Sequence, residues 1–207
     1  IKVVTGAGKT ILALSIIEKL QAVNPDLRVA IVVPTIVLQD QWYNEILLRS
    51  NLSPHTVGRL GGGRSRDVFN DDIRILLCVL NSAARYLPSI VNQSKVSSNL
   101  LLIADECHKT GAPDMSKVFQ TQRRYNLGLS ATPEREDVEG DVTHQDTASY
   151  DSSLLGRELG PIIYELTVYQ ALEQGILPEF EVLHYGLPFV DDEHEKYQVL
   201  SRKLRSV

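Results

Sequence analysis

The sequence predicts an α/β fold in which a parallel sheet carries helices on both faces. Short apolar runs, typical of strands buried on both faces, alternate along the chain with longer segments of helical spacing. Because crossovers between parallel strands are right-handed and usually helical, this alternation favours a parallel sheet. A glycine-rich turn between the first apolar run and the first helical segment is the third indication. The carboxyl ends of the strands would then form one edge, where ligands bind in such folds.

The composition is that of one globular domain and perhaps the start of another. The 207 residues are 43% hydrophobic and 23% charged, which suffices for one good core. The formal net charge of −5 argues against wholesale electrostatic binding to nucleic acid but allows a local basic track. Without a bilayer-spanning stretch or a signal peptide, we expect an intracellular protein with no membrane partner. Cys78 and Cys107 lie in or beside apolar runs and predict buried, reduced thiols.

A phosphate-binding loop is predicted at the start of the chain. The apolar run Ile1 to Val4 leads through a glycine-rich turn into the apolar segment Ile11 to Leu20, in the order strand, turn, helix. A loop that wraps phosphates needs glycines for close approach of N–H groups, a lysine for the outer phosphates and a hydroxyl for magnesium. The helix N-terminus adds partial positive charge. The predicted nucleotide-binding residues are Thr5, Gly6, Ala7, Gly8, Lys9 and Thr10.

This loop departs from the usual pattern at its first position. The usual motif begins with glycine five residues before the Gly-Lys pair, and here that residue is Val3. The alternative interpretation is a glycine-rich turn that happens to precede a helix. The chain also begins without methionine, directly on this strand, so we expect an upstream segment that recognises a base beside the phosphates.

The second strand and helix carry a polar residue at their junction. The run Val29 to Val33 predicts a buried strand, and helical spacing follows from Thr35 to Leu48. Thr35 lies where a helix N-cap belongs and also at the strand's carboxyl end, so it either only caps the helix or also contacts a ligand. Trp42 is expected in the core rather than as a platform for base stacking.

A glycine cluster flanked by arginines follows. The run Arg59-Leu60-Gly61-Gly62-Gly63-Arg64-Ser65-Arg66 is basic within an acidic chain. Backbone N–H groups and guanidinium groups are common donors to phosphodiesters, so the run is a candidate nucleic-acid contact. The alternative is a solvated surface loop. Next, the predicted strand Ile73 to Leu80 ends in the polar pair Asn81-Ser82 before a short helix.

The most apolar strand, Leu100 to Ala104, leads into two adjacent carboxylates, Asp105 and Glu106. Carboxylates at the end of a buried strand are costly unless they serve cations or water. Together with the phosphate loop, they predict a metal–nucleotide site. Asp105 would hold Mg²⁺ through water, and Glu106 would orient and deprotonate the attacking water. Without the loop, the pair would be an acidic cap at a helix N-terminus.

A further strand, Asn126 to Leu129, runs into small hydroxyl residues, and four motifs now stand in a fixed order along the chain. They are Gly6-Ala7-Gly8-Lys9-Thr10, Val33-Pro34-Thr35 with Gln41-Trp42, Asp105-Glu106-Cys107-His108 and Ser130-Ala131-Thr132-Pro133-Glu134-Arg135. This set resembles the motifs of superfamily 2 helicases. It looks closest to the branch that contains the excision-repair helicase XPB and the motor subunits of type I and type III restriction enzymes.

The resemblance implies a RecA-like P-loop NTPase lobe that binds ATP and Mg²⁺ and hydrolyses ATP to drive movement on nucleic acid, with DNA favoured over RNA. Lys9 and Thr10 would bind nucleotide and magnesium, and Lys9, Asp105 and Glu106 would be the catalytic set. The residues implied to couple hydrolysis to movement between lobes are His108, Ser130 and Thr132. The protein would be cytoplasmic, or associated with a nucleoid or nucleus.

The nucleic-acid contacts and the domain organisation also follow from the resemblance. The lobe would cover residues 1–175, with a mobile acidic loop at about 134–155, and residues 176–207 would lead to a missing second RecA-like lobe. That lobe would supply an arginine finger, so the isolated chain is expected to have only low basal ATPase activity. Asn81-Ser82 is a loose match to its motif. The predicted nucleic-acid contacts are Thr35, Gly61, Gly62, Asn81 and Ser82, together with Arg64 from the basic run.

Two alternatives belong to other functional classes. A nucleotide-dependent switch would change partner contacts without turnover, and the presence of Glu106 counts against it because a switch needs no water-activating carboxylate. A P-loop ATPase acting on a protein or small molecule would use the same phosphate loop. The arginine and glycine run would then be only a surface loop.

Overall fold

The computed structural model describes residues 1–63, 66–111, 114–133, 150–183, 185, 196–197 and 201. The chain forms two compact units, Ile1–Leu177 and Pro178–Val207. The strands and helices named below all lie in the first unit. No helix in the described part of the chain is both long and apolar enough to cross a membrane.

Seven strands, all paired in parallel, run through the described residues. They are β1 (Lys2–Val3), β2 (Arg28–Val33), β3 (Val57–Leu60), β4 (Ile75–Val79), β5 (Leu100–Asp105), β6 (Tyr125–Leu129) and β7 (Glu165–Leu166). Five of them form one sheet in the order β3-β4-β2-β5-β6, and β1 pairs with β7. The parallel sheet predicted from the alternating pattern is therefore confirmed.

Strand β1 is also hydrogen-bonded to Ser130, the residue that follows β6. The Val3 N–H donates to the Ser130 carbonyl at 3.0 Å, and the Ser130 N–H donates to the Ile1 carbonyl at 3.2 Å. On its other side, the Val4 N–H donates to the Leu166 carbonyl at 3.2 Å. The glycine-rich turn after β1 therefore starts beside the carboxyl end of β6.

Helices cover both faces of the sheet, as the sequence predicts. They are α1 (Lys9–Val23), α2 (Ile36–Arg49), α3 (Leu80–Ser94), α4 (Leu154–Leu159) and α5 (Val168–Glu173). Alternate residues of the strands enter opposite cores, because successive side chains of a strand point to opposite faces. Ile31 packs with Ile17 of α1 and Trp42 of α2 on one face. Ala30 lies on the other face, in a core that includes Leu87 of α3.

The helix after β4 is longer than predicted. It spans 15 residues, and Asn81 and Ser82 lie in its first turn. Pro88 lies inside it, and proline usually ends or kinks a helix. The buried face continues past this proline to Ile90 and Val91, so packing against the sheet stabilises the whole length.

The predicted acidic loop at about 134–155 lies largely outside the described residues. Residues 134–149 lie outside the described part of the chain. From Tyr150 a 3-10 turn leads into α4, and the Ser153 hydroxyl caps that helix by accepting from the Gly156 N–H at 3.1 Å. Leu155 is buried in the core beneath α3, which explains why this stretch is ordered. The last residues of the predicted segment, 150–155, therefore belong to this turn and to the start of α4.

Both cysteines are free and buried, as predicted. Cys78 belongs to β4 and Cys107 follows β5. Burial raises the pKa of the Cys78 thiol above its ordinary value and that of Cys107 to about 12, because an apolar surrounding disfavours the thiolate.

Candidate nucleotide site

The turn between β1 and α1 has the backbone of an anion-binding loop. Gly6 has φ +87° and Gly8 has φ +88°, a region that glycine adopts without the cost other residues pay. Gly8 is the N-cap of α1 and, as a glycine, provides no side chain to cap the helix. The first N–H groups of α1 are therefore left for an external acceptor, and a helix N-terminus favours an anion there.

Val3 shows why the loop tolerates a departure from the usual glycine. Its side chain is 2% exposed and packs with Leu166 of β7 and Ala171 of α5. The backbone at this position belongs to β1 and needs no left-handed conformation. The larger side chain therefore contributes a small apolar core beneath the loop and leaves the glycine turn itself unchanged.

Lys9 is the first residue of α1 and lies between the loop and the acidic pair. Its side chain is only 10% exposed. The ammonium Nζ is 3.4 Å from the Val3 carbonyl oxygen and 3.8 Å from Oε1 of Glu106. A cation held this close to the uncapped helix N-terminus provides the charge that a terminal phosphate group requires.

Asp105, the last residue of β5, is almost fully buried at 7% exposed. Its Oδ2 accepts a hydrogen bond from the indole Nε1 of Trp42 at 2.8 Å, and its Oδ1 accepts from the Glu106 N–H at 3.0 Å. Burial raises the pKa of this carboxyl, whereas the Trp42 hydrogen bond and the Lys9 charge oppose that effect. A nearby divalent cation would favour the ionised form further.

Glu106 adopts a left-handed backbone conformation, with φ +49°. Non-glycine residues pay a cost there, and such strain is concentrated at functional sites. The side chain keeps 27% of its surface exposed and lies between two basic groups. Oε1 is 3.8 Å from Lys9, and Oε2 is 3.6 Å from Nδ1 of His108. The carboxylate can therefore reach water while its orientation is restrained on both sides.

His108 connects the acidic pair to the end of β6. Its Nδ1 is 3.0 Å from the hydroxyl of Ser130, and the same hydroxyl accepts from the Thr132 N–H at 3.1 Å. Ser130 is fully buried, and its backbone is bonded to β1. The three residues that the resemblance assigned to coupling are thus brought into one hydrogen-bonded chain that begins beside Glu106.

Two oxygen donors at this edge are of the type that binds magnesium together with nucleotide phosphates. In the residues that the structure describes, no group of three or more His, Cys, Asp or Glu side chains could hold a metal. Mg²⁺ usually keeps several waters and binds to one or two carboxylates together with substrate phosphates. Asp105 and the Thr10 hydroxyl, in the first turn of α1, are the oxygen donors suited to that mode.

The predicted nucleic-acid residues come together at the same edge of the sheet. Thr35 caps α2 by accepting from the Leu38 N–H at 3.3 Å. The glycine turn after β3 lies against the first turns of α2 and α3. A Cβ on Gly62 would lie 3.1 Å from Ile36 Cγ1, and a Cβ on Gly61 would lie 2.5 Å from the Ser82 hydroxyl oxygen. Thr35, Gly61, Gly62, Asn81 and Ser82 therefore form one patch, here called the strand-end surface.

The arginines around this turn differ in availability. Arg59 forms an ion pair with Asp40, and its guanidinium carbon lies 4.0 Å from the centroid of the Tyr43 ring. Its side chain is only 15% exposed, so less of its guanidinium is available to a phosphate than in the sequence interpretation, and its role in nucleic-acid binding stays a prediction. Arg66 is exposed and donates to the Tyr86 hydroxyl at 3.1 Å. Arg64 lies outside the described residues.

Two residues of α2 were not identified from the sequence as part of this site. Gln39 is fully buried, and its Nε2 donates to the carbonyls of Leu60 at 3.2 Å and Leu77 at 2.8 Å. Trp42 is in the core, as predicted, but it also donates to Asp105. A buried indole N–H usually finds an acceptor; this requirement, together with the place of Trp42 in the second motif, was the signal that could have pointed to the contact.

Curated relatives match nearly the whole chain. It is 30% identical over 205 residues to the DNA 3'-5' translocase XPB2 of Sulfurisphaera tokodaii, covering 97% of this chain and 39% of that protein. It is 31% identical over 195 residues to the DNA 3'-5' helicase XPB of Mycobacterium tuberculosis, covering 93% of this chain and 32% of that protein. The chain thus spans less than half the length of these relatives.

A solved structure supports the same fold. The nuclease-deletion mutant of the type ISP restriction-modification enzyme LlaGI, in complex with a DNA substrate mimic, matches 85% of this chain and 18% of its own. The TM-score is 0.58 at 16% identity, which establishes the likeness of fold. The family described as type III restriction enzyme, res subunit, matches residues 1–135, well over half of the chain. The chain therefore belongs to the type III restriction enzyme res subunit family, as a RecA-like N-terminal lobe of the superfamily 2 helicase type.

Proposed function

We propose that the chain is the ATP-binding lobe of an ATP-dependent translocase or helicase that moves on nucleic acid. The observation that carries the proposal is the position of Glu106, whose carboxylate lies between Lys9 and His108. Through His108 the phosphate loop is linked to Ser130, whose backbone is bonded to β1. This arrangement connects the phosphate loop to the end of β6 through side-chain contacts, and a motor requires such a connection between its nucleotide site and the rest of the lobe. The relatives named as a DNA translocase and a DNA helicase support this proposal.

The residues have separate roles in the proposed hydrolysis. Lys9 and the N–H groups at the start of α1 bind the outer phosphates and stabilise their charge. Thr10 and Asp105 would hold Mg²⁺, which when bound neutralises phosphate charge. Glu106 orients a water molecule and accepts its proton, since its carboxylate is partly exposed and held on two sides. His108 then responds to the state of Glu106 through their 3.6 Å contact.

The proposed domain organisation places the RecA-like lobe in residues 1–175 and a linker in residues 176–207. The linker would lead to a second RecA-like lobe that supplies an arginine finger. Nucleic acid would bind along the strand-end surface, with DNA as the proposed substrate. Support for this surface comes from the turn at Gly61–Gly63, whose backbone is partly exposed at Gly61 and Gly62 and exposed at Gly63, since backbone N–H groups are common donors to phosphodiesters.

Binding to nucleic acid can be tested by fluorescence anisotropy with labelled single- and double-stranded DNA and RNA oligonucleotides at several salt concentrations. Arg66→Ala should flatten the log–log salt dependence by roughly 0.7 to 0.9, the value for one phosphate contact. Arg74→Ala is the matched control. Arg74 lies just before β4, at the opposite edge of the sheet, and its guanidinium donates to the Pro25 carbonyl. Binding to none of the four probes would favour an ATPase that acts on another kind of partner.

A further inference from the structure

Trp42 makes a contact that its role in the core does not require. Its side chain is 1% exposed within the core formed by α1, α2 and the sheet. The indole Nε1 donates to Asp105 Oδ2 at 2.8 Å, and Glu106 N–H donates to the other oxygen at 3.0 Å. Both oxygens of the carboxylate therefore have a fixed donor, which restrains its orientation.

The helix that carries Trp42 is also anchored to the strand-end surface. At its start, Ile36 packs where a side chain on Gly62 would have to lie. Gln39 bonds to the last residue of β3 through the Leu60 carbonyl and to the middle of β4 through the Leu77 carbonyl. Asp40 pairs with Arg59 of β3. Trp42 lies less than one helical turn beyond Gln39. A displacement of the glycine turn would therefore reach the indole through a short, rigid segment.

We infer that Trp42 is a positioning residue that couples the strand-end surface to Asp105. The indole holds the Asp105 carboxylate in the orientation that nucleotide-bound Mg²⁺ requires, and nucleic acid at the glycine turn changes this hydrogen bond by shifting α2. The inference rests on the proposed function, because it assumes that Asp105 serves a magnesium–nucleotide complex. Phenylalanine at this position keeps an aromatic ring in the core but lacks the indole N–H, so its packing loss falls on stability and its missing donor falls on Asp105.

The indole group can be observed directly. Trp42 is the single tryptophan of the chain, so ¹⁵N labelling of tryptophan gives one indole N–H resonance. We expect Asp105→Asn to shift this resonance in the ligand-free 207-residue chain. Adding Mg²⁺ and ADP should shift it as well, and a single-stranded DNA oligonucleotide should shift it without nucleotide. A resonance that is insensitive to all three changes would overturn the inference.

Mg²⁺ affinity provides a second measurement that does not depend on turnover. Calorimetric titration of Mg²⁺ into the ADP-bound chain should show affinity lowered about 10- to 100-fold by Trp42→Phe, the usual effect of removing a group that orients a metal ligand. Tyr43→Phe is the matched control, since Tyr43 is the neighbouring aromatic residue and stacks with Arg59 instead.

The two proposals fail in different ways. If the unaltered chain does not bind ADP with Mg²⁺, the proposed function fails and this inference fails with it. If it binds ADP, and Trp42→Phe folds and binds Mg²⁺ as tightly as the unaltered chain, only the inference is overturned. Thermal unfolding of both variants shows whether either change merely loosens the core.

Discussion

Lys9 and Glu106 lie 3.8 Å apart, yet their predicted roles can be separated by mutation. Lys9→Ala removes the cation that binds the outer phosphates, so it should weaken ATP binding measured by calorimetry. Glu106→Gln keeps the shape of the side chain but removes the base. It should leave binding nearly intact and lower turnover on the order of 10² to 10³-fold, as loss of a transition-state contact does.

Lys19→Ala is the matched control for this pair, because Lys19 is an exposed lysine on the same helix. It should change neither binding nor turnover. An equal loss of ATP binding in Lys9→Ala and Glu106→Gln would contradict the division of roles.

The buried cysteines give a prediction on reactivity and pH. Neither Cys78 nor Cys107 should react with a thiol reagent in the native chain at pH 8, and both should react in denaturant, because the thiolate is the nucleophile and burial disfavours it. Burial raises the folded pKa of Cys78 above its unfolded value. Its contribution to stability is therefore complete below the unfolded pKa of about 8.5 and is lost as pH rises above it.

Urea unfolding midpoints at pH 8 and pH 10 would check the sign of this effect. Cys78→Ala should reduce the difference between the two midpoints, even though it also leaves a small cavity. Rapid labelling of native Cys78 would show that β4 opens more readily than its burial indicates.

At the scale of single residues, the sequence predicts which side chains carry the chemistry, but it does not predict which residues they contact. Asp105 and Glu106 could be predicted because two carboxylates directly follow a buried strand. The partner of Asp105 could not, because Trp42 lies 63 positions away and only the packing of α2 on the sheet brings it close. The pairing of Arg59 with Asp40 was missed for the same reason: a charge in a basic run appears available until its neighbour in space is known.

At the scale of elements, the glycine turn after β3 depends on close approach to two helices. Gly61→Ala should destabilise the chain more than Gly63→Ala. Both residues have positive φ, +98° and +72°, which costs other residues about 1–2 kcal/mol. A Cβ at Gly61 would also lie 2.5 Å from the Ser82 hydroxyl, whereas one at Gly63 would meet none of the described residues within 4 Å.

Urea unfolding of the two variants would measure the difference. Since Gly63→Ala carries mainly the backbone cost, the excess for Gly61→Ala measures the close contact with Ser82 of α3 and Val79 of β4. Equal destabilisation would mean that Ser82 can rotate away and that the turn is not tightly packed against the helix.

Element types were predictable along most of the first unit, whereas two boundaries were not. The strands were predicted correctly because runs such as Leu100 to Ala104 consist only of apolar residues, which favours a strand buried on both faces. The length of α3 was missed because its extent is decided by packing across Pro88 rather than by local pattern. The chain from Tyr150 was assigned to a loop because the acidic composition before it masks a short helix anchored by Leu155.

At the scale of the whole molecule, we expect the 207-residue chain alone to bind nucleotide without acting as a motor. The phosphate loop, Asp105 and Glu106 are all present in the first unit, so nucleotide should bind. An arginine finger contributes about 10³ to 10⁵ in rate in related phosphoryl-transfer enzymes. Without the proposed second lobe, hydrolysis should be slow and nucleic acid should hardly stimulate it.

A fluorescent ATP analogue would measure binding, and a phosphate-release assay with and without DNA or RNA would measure stimulation. Glu106→Gln provides the background rate. Robust stimulated turnover by these residues would show that the active site is completed within the chain or by association of two copies.

The short first strand has a consequence for the order of folding. β1 contains two residues. One of its neighbours is the segment at the end of β6, and the other is β7, which lies more than 160 residues further along the chain. Contacts between distant segments are slow to form because loop closure costs entropy before they are made. The sheet from β2 to β6 can assemble before the phosphate loop has any lateral support. Recovery of nucleotide binding during refolding should therefore lag behind recovery of secondary structure, which makes ADP a reporter of the final docking of β7.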